Sequence, residues 1–312
     1  MGQFECNRRE SRCKTRPPRG GGVEGMRVSS QSIECVGDCG GAGVGVGSLH
    51  NSATAGVCGR ESRTACEGEC VFGRIRQAIR RRPRGEGRAH YLGLLHGAGI
   101  EIGALQNPVH APHLKVRYVD RLPVAQLLEQ YPELRGKPIV APDILDDAEA
   151  LTMIPAASQD FVIANHVIEH MANPVRALLS WASVLKVRGR MFLAVPDKRY
   201  TFDRARPYTE LAHVFEDFDD PSAERDFAHF REFALEVSCR TFNARPVEEA
   251  DAYAQELWDQ KYSIHYHVWD DARFRELLEA IDRRFPEWRM RVLDSAPTSG
   301  NEFIFVLEKR AD

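Results

Sequence analysis

Cysteine is nearly absent from most of this chain. Seven of the eight cysteines fall within the first 70 residues, and only Cys239 follows. A region with a single thiol has no disulfide framework, which points to a reducing, cytoplasmic setting. Long apolar runs are missing too: no stretch of 18 apolar residues occurs, so no transmembrane helix is expected. The N-terminus has no basic segment followed by an apolar run, so no secretory signal is expected. Charge of one sign is not in excess. A net charge of −3 over 312 residues gives no general reason to expect nucleic-acid binding. No internal repeat is evident.

What is present divides sharply. Residues 1–70 hold 14 of the 24 glycines and show no apolar period of 2 or 3.6. They read as a disordered or non-native N-terminal extension that buries too little surface to fold. Cys35/Cys39 and Cys66/Cys70 are C-x3-C pairs, a spacing that suits zinc poorly. Residues 71–84, VFGRIRQAIRRRPR, put Phe72, Ile75 and Ile79 on one helical face amid arginines. That pattern suits peripheral contact with an anionic membrane, or a solvated helix packed on the domain. From residue 71 to 312 the composition is that of one folded domain.

Short apolar runs alternate with helical periods over 99–197. GIEIG (99–103), KVRYVD (115–120), KPIVAPD (137–143), DFVIANH (160–166) and GRMFLAVPD (189–197) read as strands. Residues 124–134 read as a helix, and Asn173-Pro174 caps another that runs to about 186. This order predicts an α/β, Rossmann-like, mostly parallel sheet with helices on both faces. Residues 203–263, rich in charge and aromatics, predict two or three helices inserted after strand five, the insertion expected to cover a substrate as a cap. A helix over 271–285 and two strands around PTSG close the chain, the last pair antiparallel because the link is short.

The stretch LLHGAGIEIGALQNP (94–108) contains Gly97, Gly99 and Gly103. A dinucleotide site would make YLGLL the strand and IEIGALQ the phosphate-binding helix. Gly103 inside that helix and Pro108 soon after oppose it, so a nicotinamide-dependent oxidoreductase is the weaker reading. With GIEIG as the strand, Gly103 sits at its carboxyl end, where a cofactor approaches the backbone. Glu101 precedes it, Asp120 ends the next strand, and Asp143 ends the third. Carboxylates there suit an adenosine without phosphates, because a carboxylate accepts from ribose hydroxyls and repels phosphate.

The region from about 90 to 310 resembles class I S-adenosylmethionine-dependent methyltransferases, in particular the type 11 group. The resemblance rests on E-I-G at 101–103, V-D at 119–120, P-D-I at 142–144, and DFVIANHVIEHMANPVRALLSWASVLKVRGRMFLAVPD at 160–197. It implies a seven-stranded sheet with an antiparallel last strand, S-adenosyl-L-methionine as cofactor, and methyl transfer to a small-molecule or sugar-like acceptor. It implies cofactor contacts from Glu101, Gly103, Ala104, Asn107, Asp120, Arg121, Asp143, Ile144, Asn165 and His166. Candidate catalytic groups are His170, His166 and Asp197. The sequence departs from the group in its glycine loop, where Ala104-Leu105-Gln106-Asn107-Pro108 follows Gly103. That departure keeps open a non-catalytic binding or scaffold protein of the same fold.

Further along, Arg199, Tyr200, Asp203 and Arg206 can grip an anionic or sugar-like acceptor, or close a salt-bridged loop. His265 and His267 in HYHVWDD are two apart, a spacing that permits a metal pair on a strand. A packing role before the helix at 271 is favoured, and no metal site is expected.

Overall fold

The computed structural model describes residues 87–311. The readings made on 1–70 and 71–84 lie outside them. Seven strands form one sheet: β1 (Ala98–Ile102), β2 (Lys115–Asp120), β3 (Ile144–Leu145), β4 (Gln159–Asn165), β5 (Leu185–Pro196), β6 (Met290–Pro297) and β7 (Glu302–Lys309). Their order is β3-β2-β1-β4-β5-β7-β6. The pairs among β1 to β5 are parallel, while β7 runs antiparallel to both β5 and β6. This is the expected Rossmann-like arrangement with a reversed last strand.

The helices are α1 (Arg88–Gly93), α2 (Val124–Gln130), α3 (Pro174–Val184), α4 (Leu211–Asp219), α5 (Ala223–Phe233), α6 (Ala250–Asp259) and α7 (Asp271–Arg284). A wide π-type turn, Ala234–Thr241, extends α5. Asn173 caps α3 by accepting from the Arg176 N–H, with Pro174 in the first turn. Among the described residues no helix is long and apolar enough to cross a membrane.

Period-2 alternation sends the central strands to two cores. Val162 and Ala164 of β4, Leu193 and Val195 of β5, and Phe303 and Phe305 of β7 face one side. There they meet Trp181 of α3 and Phe274, Leu277 and Ile281 of α7. Phe161, Ile163, Phe192, Ile304 and Val306 face the other side, under Tyr91 and Leu92 of α1. Strands buried on both faces explain why β4 and β5 read as continuous apolar runs.

The expected strand over GIEIG forms, while the third and fifth strands differ from expectation. YLGLL is part of α1 and its exit, not a strand, and residues 98–102 are strand, not helix. The dinucleotide-binding alternative fails on both counts. The stretch 137–143 does not form the third strand, because Pro138 and Pro142 lack the N–H a ladder needs. Only Ile144 and Leu145 pair with β2. The fifth strand starts at Leu185, directly after α3, and absorbs a bulge with Arg188 at φ 65°.

Candidate active site

The carboxyl ends of β1, β2 and β4 open onto a cavity of about 540 Å³. The sheet's switch point lies here, since β1 pairs with β2 on one side and β4 on the other. Gly103 lines the cavity with φ 64°. A Cβ at that position would lie 3.3 Å from Val167 Cγ2. Gly99 serves the opposite end of β1. A Cβ there would lie 2.2 Å from the Phe161 carbonyl oxygen, so this glycine lets β1 and β4 approach. Of the two, Gly103 is the glycine at the cavity.

Asp120 and Arg121 line the same wall. The Asp120 Oδ1 accepts from the Arg121 N–H at 2.7 Å. Burial raises the Asp120 carboxyl above its ordinary range, opposed by the backbone N–H groups of Arg121 and Leu122. Asp143 does not reach the cavity. It is exposed at the start of β3, where its carboxylate accepts from the Tyr118 N–H at 2.8 Å. Ile144 pairs with Val119 and packs on the core. The acids at the carboxyl end of β3 are Asp146 and Asp147, both at the cavity. The register shift caused by the two prolines moves this role three residues along.

Glu101 is fully buried beneath the cavity floor. Its carboxylate accepts from the Val109 N–H at 2.9 Å and from Asn165 Nδ2 at 3.1 Å. Burial pushes it up to about 7, against the pull of those two donors. Glu101 and Asn165 therefore join β1, β4 and the loop that follows Gly103. In that loop Ala104 and Leu105 are buried, and Leu105 packs against Leu127 and Leu134. The Asn107 N–H closes a turn on the Ala104 carbonyl, leaving the Asn107 side chain exposed. Of the expected cofactor contacts, Gly103, Asp120, Arg121 and His166 line the cavity. Glu101, Ala104, Asn107, Asp143, Ile144 and Asn165 lie outside its lining.

His166 follows β4 with φ 51°. Its Nε2 lies 2.8 Å from Glu302 Oε2, and Glu302 in turn receives Arg88 Nε at 2.8 Å and Nη2 at 2.5 Å. Burial alone would raise Glu302. The Arg88 guanidinium and His166 outweigh it and hold the carboxyl down at about 2. His170 also lines the cavity, with Nδ1 at 2.8 Å from the Ile264 carbonyl oxygen. A ring nitrogen facing a carbonyl must donate, so the neutral ring keeps its basic lone pair on Nε2. Between them Glu169 is buried, its oxygens without hydrogen bonds, and desolvation raises its carboxyl far above the usual range.

Asp197 stands away from the cavity. It is completely buried and receives Arg199 Nε at 2.8 Å and Nη2 at 2.7 Å. Asp203 and Arg206 are likewise spent on structure. Arg206 donates to Asp203 at 2.9 Å, to Glu232 at 2.9 Å and to the His265 carbonyl oxygen at 2.9 Å. The loop after β5 forms ion pairs, and none of Arg199, Tyr200, Asp203 and Arg206 lines the cavity.

The cavity's far wall comes from the 203–263 segment expected to cover the substrate, although none of its lining residues was singled out from the sequence. Phe230, Trp258, Lys261, Tyr262 and Tyr266 line it, all from the helical segment after β5 or its exit. The aromatic cluster in DQKYSIHYH was the available signal. Those side chains meet the cleft only through tertiary packing.

Residues 103–193 match the family model described as "Methyltransferase domain". The match runs from the cavity glycine into β5, and it bears out the resemblance drawn from the sequence. No curated protein matches. Among solved structures, the mitomycin 7-O-methyltransferase MmcR is 18% identical over 69% of this chain and 49% of that one, with a TM-score of 0.35. This chain thus spans about half the length of that protein. A SAM-dependent methyltransferase from Aquifex aeolicus is 10% identical over 71% and 87% of the two chains, at a TM-score of 0.37. A chain from Rhodobacter sphaeroides, provisionally named for zinc-dependent alcohol dehydrogenases, is 19% identical over 73% and 91%, at 0.43. At these values none of the three carries an argument about activity.

Proposed function

We propose that this chain, which carries a class I methyltransferase domain with S-adenosylmethionine as its cofactor, methylates a small hydroxyl-bearing acceptor of sugar-like chemistry in the cytoplasm. The observation that carries the reading is the Asp120 carboxylate at the end of β2, facing the cavity beside Gly103. A carboxylate in that place accepts two hydrogen bonds from vicinal ribose hydroxyls. The donor set fits an adenosine and opposes a polyphosphate, because Asp120, Asp146 and Asp147 all line the cavity. Gly103 leaves room for close approach to the backbone.

The cofactor supplies an activated methyl group on a sulfonium and departs as a neutral thioether. The chain's part is alignment of acceptor and methyl group. Phe230, Trp258, Tyr262 and Tyr266 form an aromatic wall that excludes water and seats the acceptor against the cofactor. The 203–263 segment acts as a substrate cap. His170, with Nδ1 fixed on the Ile264 carbonyl and its buried Nε2 turned toward Glu169, shapes the cavity wall against which the acceptor is aligned. His166, held by Glu302 and Arg88, fixes the loop between β4 and α3.

The buried Leu105 in the glycine loop favours one rival, a scaffold that retains the fold without turnover. Release of S-adenosylhomocysteine across a panel of sugars, polyols and phenols separates the two. The enzyme reading predicts release with at least one acceptor. It also predicts that His170→Ala, by loosening the cavity wall, lowers kcat on the order of 10-fold while cofactor affinity stays within about twofold. Cofactor binding with no release from any acceptor supports the scaffold.

A further inference from the structure

Beside the cavity, on the helical segment, three histidines converge on one carboxylate oxygen. His213 and Asp217 lie one turn apart on α4, His229 comes from α5, and His267 from the extended segment before α7. Asp217 Oδ2 lies 3.3 Å from His213 Nε2, 3.3 Å from His229 Nε2 and 3.1 Å from His267 Nε2. The four ligand atoms all lie within 4.8 Å of one another. Asp217, His229 and His267 are buried, and His213 is half-buried.

Two of the rings have their tautomer set from behind. His229 Nδ1 meets the Tyr266 carbonyl oxygen at 3.1 Å, and His267 Nδ1 meets that of Met171 at 3.2 Å. Each Nδ1 must donate to its carbonyl, so each neutral ring turns an Nε2 lone pair toward Asp217 Oδ2. Lone pairs then face a carboxylate oxygen. A single proton serves one of these contacts and leaves the others repulsive. His229 Nε2 is buried with no hydrogen-bond partner. One cation at the centre satisfies all four atoms together. In a tetrahedron with metal–ligand bonds of about 2.0–2.1 Å, the ligand atoms stand roughly 3.3 Å apart, which the three Asp217–histidine distances match, while the whole set lies within 4.8 Å.

We propose that His213, Asp217, His229 and His267 form a structural site for a divalent transition-metal ion, zinc by its donor set. Three imidazoles and one carboxylate suit zinc, and four protein ligands close the coordination sphere, as structural sites do. The backing carbonyls supply the outer hydrogen bonds that orient metal-bound imidazoles. Asp217 Oδ1 is held by Arg225 Nε at 3.1 Å, which leaves Oδ2 for the ion. The site ties α4 and α5 to the wall of the cleft, because Met171 and Tyr266 both line the cavity. His265 takes no part: its Nδ1 is 2.6 Å from Asp203 Oδ2. The two histidines of HYH, given a packing role from sequence, thus have separate partners, and only His267 reaches this cluster.

The test uses the full chain, purified without a polyhistidine tag. Elemental analysis is expected to find about one zinc per chain at this site after dialysis. Cobalt substitution is expected to give tetrahedral ligand-field bands with no thiolate charge-transfer band. His213→Ala, at the least buried ligand, is expected to surrender its metal to a competing chelator at least tenfold more readily. Chelation is expected to lower the Tm of the wild type more than that of the variant. Failure to retain zinc or cobalt at micromolar free metal overturns the proposal. So does a thiolate band, which would place the ion on the N-terminal cysteines, or metal affinity unchanged by His213→Ala.

Discussion

Glu302, the first residue of β7, shows how much one side chain carries. Its carboxylate joins Arg88 of α1 to His166 beside the cavity, so it couples that helix to the site. Its folded pKa of about 2 lies below the ordinary 4.5. A depressed carboxyl contributes stability that is present above 4.5 and lost as pH falls through about 2. Glu302→Gln is therefore expected to cost on the order of 2–3 kcal/mol at pH 7, shrinking as pH falls from 4.5 toward 2, in chemical denaturation. Glu101 has the opposite sign. Its folded pKa is raised to about 7, so its contribution is full below 4.5 and is lost as pH rises through 7. Glu101→Gln is expected to flatten the fall in stability between pH 5 and pH 8 that the wild type shows. An equal slope in both proteins would contradict the assignment. Glu101 and Asp120 were both visible in the sequence as acids near strand ends. Their different fates, one under the floor and one at the cavity, depend on pleat direction and on Val109 folding back over Glu101.

At the scale of elements, the strands that were legible are those with continuous apolar runs or clean alternation. β2 was read to the residue, and β1 and β4 to within one. The helix that follows Asn173-Pro174 was read from its cap. β3 was misread because IVAP looks apolar while its prolines remove the ladder donors, and this displaced the expected acid from Asp147 and Asp146 back to Asp143. The 203–263 segment was read as helical, and it is, but its inner face was not legible. The Asp203–Arg206 pair, three residues apart, was open to a salt-bridged reading, but its distant partner was not marked by any local pattern. Asp203, Arg206 and His265 come together across some 60 residues of sequence separation. Removing one partner leaves an uncompensated charge inside. Asp203→Ala is expected to destabilise the protein by about 3–5 kcal/mol, because Arg206 is 2% exposed and keeps the half-exposed Glu232 as its remaining anionic partner. A loss under about 1 kcal/mol by equilibrium unfolding would show that the network tolerates the gap.

For the whole molecule, we place the adenosyl sulfonium cofactor at the switch point of the sheet, held on Asp120. The sheet order, the left-handed Gly103 and the acid-lined cavity converge on that place, and the family match begins at the same glycine. The most direct measurement is calorimetric titration of the protein with S-adenosylmethionine and S-adenosylhomocysteine, set against the Asp120→Ala variant. The account predicts micromolar binding of both ligands and a loss of about 100-fold in the variant, on the order of 2.7 kcal/mol. Folded protein that binds neither ligand, or a variant that binds as tightly as the wild type, would contradict it.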